Sequence, residues 1–301
     1  MKFVSAQDEQ GLFVGLLNEA EDQVLPLGRT EEKMTGFASL PASMAECIAL
    51  GEEFIEKAQA VAAWAGEHRA EEGAYLPLTG LTLLAPIPRP SKNIFCVGKN
   101  YAEHAVELGS KEDIPEDVII FTKASTSVIG PKQPIPLHSE VTKELDYEGE
   151  LAVVIGKEGK GIKQEDALDH VFGYTIINDV TARDLQSRHK QYFIGKSLDG
   201  SCPMGPWIVH ASSITDPYQL NIETRVNGEI RQSSNTRQLI FPIAKIIEEL
   251  SKGMTLEPGD VIATGTPVGV GKGMKPPSFL GSGDMVEITV EGIGTLSNPV
   301  R

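Results

Sequence analysis

No stretch of this 301-residue chain is apolar over the roughly 20 residues that a membrane-crossing helix needs, so no membrane span is expected. Basic charge is scarce. The 27 Lys and Arg face 42 Asp and Glu, a formal net charge of −15 that repels nucleic-acid phosphates and anionic lipid alike. Cysteine is scarce too: Cys47, Cys96 and Cys202 are odd in number, far apart and without a CxxC pair, so neither a disulfide framework nor a thiolate zinc site is indicated. The opening residues Met1 to Asp8 have no apolar stretch ahead of a small-residue cleavage site, and a cytoplasmic location is the default expectation.

What is present suffices for a real core, with 41% hydrophobic and 23% charged residues. The length favours a small amino-terminal module, residues 1–85, followed by a larger domain, residues 90–301. In the module, runs such as Leu12 to Leu17 read as short strands. From Ser43 to His68, Met44, Ile48, Gly51, Ile55, Ala58, Ala62 and Ala65 recur every three or four residues, the pattern of one amphipathic helix. Ala85-Pro86-Ile87-Pro88-Arg89-Pro90 cannot continue a helix and reads as an extended linker. Beyond it, short β-rich runs alternate with Gly and Pro, and Asn227-Gly228 between two such runs signals a hairpin. The expected fold class is α+β, mostly β.

Chemistry concentrates in Leu145 to Ile155, which reads as a strand. Residues two apart on a strand share a face about 7 Å apart, so Glu148 and Glu150 present paired carboxylates that call for a counterion, while Gly149 leaves the opposite face free for close packing. A solvated polar edge is the competing explanation. Asp179, at the end of the run Val171 to Asn178, offers a third oxygen ligand; its plain alternative is a helix N-cap. Three carboxylates without a Cys or His pattern favour Mg²⁺ or Mn²⁺ over Zn²⁺. Arg183 and Gln186 share a helix face and would grip a carboxylate, with Lys196 adding a point charge, although Arg183 has an ordinary structural role open to it in pairing with Glu148 or Asp184. His104 and Glu107 stand at i,i+3 spacing, as an acid–base pair or as a chance pair on a wet helix. The Gly-rich stretch Ala263 to Gly273 is not a phosphate loop, since Lys272 is followed by Gly273 and Pro276-Pro277 prevents the helix such loops need. It reads as a tight turn in which Thr266 and freed backbone donors bind a carboxylate or carbonyl oxygen of a substrate.

Asn93 to Tyr101, Asp146 to Leu151, Asn178 to Gln186, Gly195-Lys196-Ser197 and Thr264 to Pro267 together resemble the fumarylacetoacetate hydrolase family, over roughly residues 90–301. The resemblance implies a β-barrel-like roll with a small amino-terminal α/β module, a metal triad of Glu148, Glu150 and Asp179, and a homodimer. The pair His104 and Glu107 looks like the lid dyad of the branch that contains acylpyruvate hydrolases and oxaloacetate decarboxylases, and the layout is similar to its two-domain bacterial members. The expected function is therefore metal-dependent carbon–carbon cleavage in a small 2-oxo acid, led by oxaloacetate decarboxylation to pyruvate. Acylpyruvate hydrolysis, 2-hydroxy-dienoate isomerisation or hydration, and a scaffold without turnover are the alternatives.

Overall fold

The computed structural model describes residues 1–68 and 74–301. One large sheet runs through most of the molecule, in the order Leu76–Pro77, Gln23–Pro26, Gly11–Leu17, Lys2–Asp8, Cys202–His210, Val171–Asn178, Gly149–Ile155, Val261–Ala263, Ile94–Gly98 and Ile119–Lys123. The order is open, and the fold class is α+β, mostly sheet. The first strand, Lys2–Asp8, pairs antiparallel with Cys202–His210, placing Lys2 opposite Val209. A second sheet of four strands stacks Glu229–Asn235, Asn221–Val226, Met285–Val290 and Gly294–Pro299. Its hairpin turns at Asn227 (φ 53°) and Gly228 (φ 78°), both left-handed as a two-residue turn of this type demands.

Gly149–Ile155 is buried along its whole length, and its alternation sorts the core into two. Leu151, Val153 and Ile155 join the cluster that holds Ile222, Ile246, Ile288 and Leu296. Ala152 and Val154 face the other way, into the cluster of Phe3, Phe54, Ala58 and Phe172. There the rings of Phe3, Phe54 and Phe172 lie 4.9–6.0 Å apart, so the helix Glu52–Glu67, which carries Phe54, packs on the back of the strand that leads to Asp179.

Three expectations change. The single helix over 43–68 is two, Met44–Ala49 and Glu52–Glu67, because Gly51 takes φ 62° and ends the first. The segment 85–90 is extended yet not free: Ala85 and Ile87 are buried, and Ser5 Oγ donates to Pro86 O at 2.6 Å. The strand over 145–155 is interrupted at Tyr147 and Glu148, because Leu145–Asp146 pairs with Thr181–Ala182 in a separate two-stranded sheet while Gly149 onward pairs with Val171–Asn178. No helix among the described residues is long and apolar enough to cross a membrane.

Candidate active site

The interruption brings the acids together. Gly149 lies opposite Asn178 in the register, so the residues just outside both strand ends, Glu148 and Asp179, are neighbours. Asp179 N donates to Glu148 O at 2.8 Å, and Glu148 N donates to Asn178 Oδ1 at 3.0 Å. One carboxylate oxygen from each of Glu148, Glu150 and Asp179 lies within 4.8 Å of the others, and all three residues are buried. Gly149 between them is required for space, since a Cβ there would collide with Thr224 and crowd Ile288 of the second sheet.

Cations close around the acids. Lys196 Nζ sits 2.7 Å from both Glu148 Oε2 and Asp179 Oδ2. Its helix, Phe193–Lys196, can lie on Arg183–His189 because Gly195 has no Cβ to strike the backbone of Gln186 and Ala182. Lys123 Nζ is 2.8 Å from Asp179 Oδ1 and donates to Val180 O at 3.0 Å. Arg183 donates through Nε to Asp146 Oδ2 at 2.8 Å, while its Nη1 lies 2.6 Å from Glu148 Oε1 and 3.2 Å from Gln186 Oε1. Its Nη2 is buried with no partner. Arg183 therefore pairs structurally with Glu148 and still holds the two N–H donors of Nη2 in reserve; Asp184, the other suggested partner, is bound instead by Thr142 and Lys143.

With every group ionised, Asp146, Glu148, Glu150 and Asp179 outnumber Lys123, Arg183 and Lys196 by one. The imbalance falls on Glu150. Burial, then Asp179 and Glu148, push its carboxyl well above the usual range. Burial also pushes Glu148 up, but Lys196 and Arg183 outweigh it and hold that carboxyl at about 2. An excess negative charge and an all-oxygen donor set fit a hard divalent cation.

Above the acids lies a cavity of about 370 Å³ lined by His104, Glu148, Glu150, Arg183, Gln186, Lys196 and Thr266, with Asp179 and Glu107 one contact behind. His104 Nδ1 is 3.3 Å from Glu107 Oε2. A carboxylate only accepts, so Nδ1 carries the proton and Nε2 is left free. Glu107 is itself anchored by Gly269 N at 3.0 Å and 3.2 Å.

The Gly-rich stretch departs from expectation here, because its donors hold the protein's own acids. Gly265 N binds Glu150 Oε2 at 2.7 Å, Gly269 N binds Glu107, and Gly271 N and Lys272 N bind the two oxygens of Asp146 at 2.7 Å and 3.0 Å. Gly269, at φ 108°, could not be another residue, since a Cβ would overlap Arg231 O. The Thr266 hydroxyl is engaged as well, donating to Gly149 O at 3.0 Å and accepting from Gln232 Nε2 at 2.8 Å.

Sequence reasoning gave no role to Lys123, Asp146 or Asn178. A signal existed for Asp146, which continues the two-residue spacing of Glu148 and Glu150 backwards. For Lys123 the clue is weaker, a lysine closing the strand Ile119–Lys123 with complete burial.

The family model described as fumarylacetoacetate (FAA) hydrolase C-terminal matches residues 93–301. Over 301 residues, covering 100% of both chains, the protein is 55% identical to oxaloacetate tautomerase YisK of Bacillus subtilis. Among solved structures, a fumarylacetoacetate hydrolase from psychrophilic Exiguobacterium antarcticum aligns with TM-score 0.82 and 41% identity over 100% of this chain and 99% of that one. Maleylpyruvate hydrolase from Sphingobium sp. SYK-6, in complex with manganese(II) ion and pyruvate, aligns with TM-score 0.78 and 29% identity over 100% of this chain and 98% of that one. The chain is an enzyme of the fumarylacetoacetate hydrolase family.

Proposed function

We propose that this enzyme acts on oxaloacetate at a divalent-metal site, moving a proton between C3 and the 2-oxo oxygen in a keto–enol tautomerisation. The observation that carries the reading is the placing of three buried, undercompensated carboxylates below a cavity faced by His104, Arg183 and Lys196. The relative named for oxaloacetate tautomerisation, identical at 55% of positions, supports the substrate. Glu148, Glu150 and Asp179 would hold Mg²⁺ or Mn²⁺; a structural neighbour was solved with manganese(II) and pyruvate. When bound, such a cation supplies Lewis-acid polarisation of an oxo group.

The chain's own residues supply the rest. Arg183 Nη2, the donor without a partner, and the Gln186 amide receive the carboxylate next to the oxo group. Thr266, its hydroxyl fixed by Gly149 and Gln232, shapes the wall beside them. His104 Nε2 takes the C3 proton and delivers it to the C2 oxygen, while Glu107 holds the ring and stabilises its charged form. Lys196 faces the negative charge that develops on the C2 oxygen.

Decarboxylation, the reaction expected from sequence, is a second reading favoured by the same buried pair Lys196 and Arg183. There the C3–C4 electron pair moves to the C2 oxygen as CO₂ leaves, and His104 afterwards protonates C3. Both readings are tested by following the enol absorbance and pyruvate release from oxaloacetate, with acetylpyruvate in parallel, using metal-stripped protein before and after Mn²⁺ or Mg²⁺ is restored. Metal-dependent equilibration of keto and enol forms without pyruvate establishes the tautomerase, and stoichiometric pyruvate establishes the decarboxylase. Turnover of acetylpyruvate alone, or equal rates without metal, would refute both.

A further inference from the structure

The cavity has a cationic rim as well as a charged floor. Lys99, Lys190 and Lys272 line it in addition to Arg183 and Lys196. Lys99 is already spent on Asp113, at 3.0 Å. Among the described residues, neither Lys190 nor Lys272 pairs with a carboxylate side chain. Lys272 is held from both ends: its backbone N–H binds Asp146, the partner of Arg183, and its Nζ lies 3.3 Å from Ser187 Oγ on the helix that carries Arg183 and Gln186. The ammonium thus stands beside the carboxylate-gripping residues with further donors unused.

Lys190 reaches the rim from a strained turn. Both Lys190 (φ 55°) and Tyr192 (φ 64°) occupy the left-handed region that favours glycine, and both line the cavity. Two non-glycine residues held there within three positions cost backbone strain, and the turn they form places both side chains at the cavity.

From this geometry we infer that Lys272, with Lys190 beside it, is the receptor for the distal carboxylate of the substrate, and that the cavity selects dicarboxylic over monocarboxylic 2-oxo acids. The inference rests on the reading of the floor as a metal and carboxylate site, and it adds which residues set substrate class. In the tautomerisation neither lysine meets the reacting atoms, C3 and the C2 oxygen; they determine specificity. An uncharged acyl tail in the same place would leave a lysine ammonium facing an apolar group, whereas a carboxylate gains a charge-assisted hydrogen bond.

Malate and lactate form a matched pair of unreactive 2-hydroxy acids that differ only in the distal carboxylate. Titration calorimetry of the Mn²⁺-loaded protein should give malate the tighter dissociation constant by roughly ten-fold, the size of one charge-assisted contact. In Lys272→Met with Lys190→Met that preference should fall to within about two-fold, whereas Lys272→Arg should keep most of it. Oxalate, which has no distal group, should bind wild type and variants alike. A malate preference that survives the double substitution overturns the inference. So does a wild-type ratio near one, or a loss of oxalate affinity in parallel with malate, because the lysines would then act on the floor. Absence of oxaloacetate turnover alongside a lysine-dependent malate preference would instead remove the catalytic reading and leave this assignment standing.

Discussion

Glu31, in the amino-terminal part, and Glu150, on the cavity floor, are both carboxylates almost cut off from water, exposed to 5% and 1% respectively, and the fold treats them in opposite ways. Glu31 accepts from Ser39 N at 2.6 Å, Leu40 N at 2.8 Å and Ser39 Oγ at 2.6 Å, so each oxygen is satisfied locally. Burial pushes its carboxyl up, yet the donors of Ser39 and Leu40 outweigh that and leave it below its ordinary value. Glu150 receives one backbone hydrogen bond, from Gly265, and faces two further carboxylates. A buried charge that its own loop neutralises serves folding. One whose neighbours repel it costs stability unless a counter-charge completes it.

The contrast can be broken most forcefully at Glu150. Glu150→Gln removes a like charge along with a proposed metal ligand, so metal-dependent turnover should drop by about 10³-fold while the metal-free protein melts no earlier than wild type. A lower melting temperature in the metal-free variant would mean that Glu150 is structural after all. His104→Asn should lower kcat for proton transfer by about 10²- to 10⁴-fold with Mn²⁺ affinity unchanged in calorimetry. Glu107→Gln should produce a smaller loss, and its signature is a displaced pH profile of kcat.

Metal removal sharpens the comparison from the other side. Mn²⁺ at 100 times its dissociation constant should raise the unfolding free energy by about 2.7 kcal/mol, read as a shift in denaturant midpoint, and the gain should vanish in Glu150→Gln. Glu31→Gln is expected to cost about 1–3 kcal/mol at pH 7 and to leave kcat/KM intact. Its pH dependence has a definite sign. The folded value of Glu31 lies below the ordinary 4.5, so its stabilisation is complete above that value and disappears as pH falls through the folded one. The gap between wild type and Glu31→Gln in urea midpoints should therefore close on acidification.

The same contrast explains what was legible in the sequence. Glu150 and Asp179 could be read because a strand and a strand end locate side chains without knowledge of the rest of the fold, whereas Glu148 joins them from the break just before the strand rather than from its periodicity. Arg183, Gln186 and Lys196 followed from helix spacing and nearness in sequence. Lys123 could not be read, since only the parallel pairing of Val261–Ala263 with Ile94–Gly98, and the antiparallel pairing of that strand with Ile119–Lys123, carries it to Asp179. The Gly-rich stretch reads from sequence as a turn with free donors, but its acceptors lie more than a hundred residues away, where no local pattern points to them. The break at Gly51 is hidden in the sequence because glycine fits the apolar spacing, whereas its conformational freedom is the property that matters.

The pairing of Lys2–Asp8 with Cys202–His210 also fixes an order of events during synthesis. At roughly 5–20 residues per second, the ribosome needs on the order of 10–40 s to deliver the second strand after the first. Through that interval Lys2 and Phe3 lack the strand they pair with in the finished molecule, where Phe3 is inaccessible to water, while Thr82–Leu83 is made early enough to cover the same edge at Ala6 and Gln7. The earliest residues made are therefore among the last to gain their final strand partner.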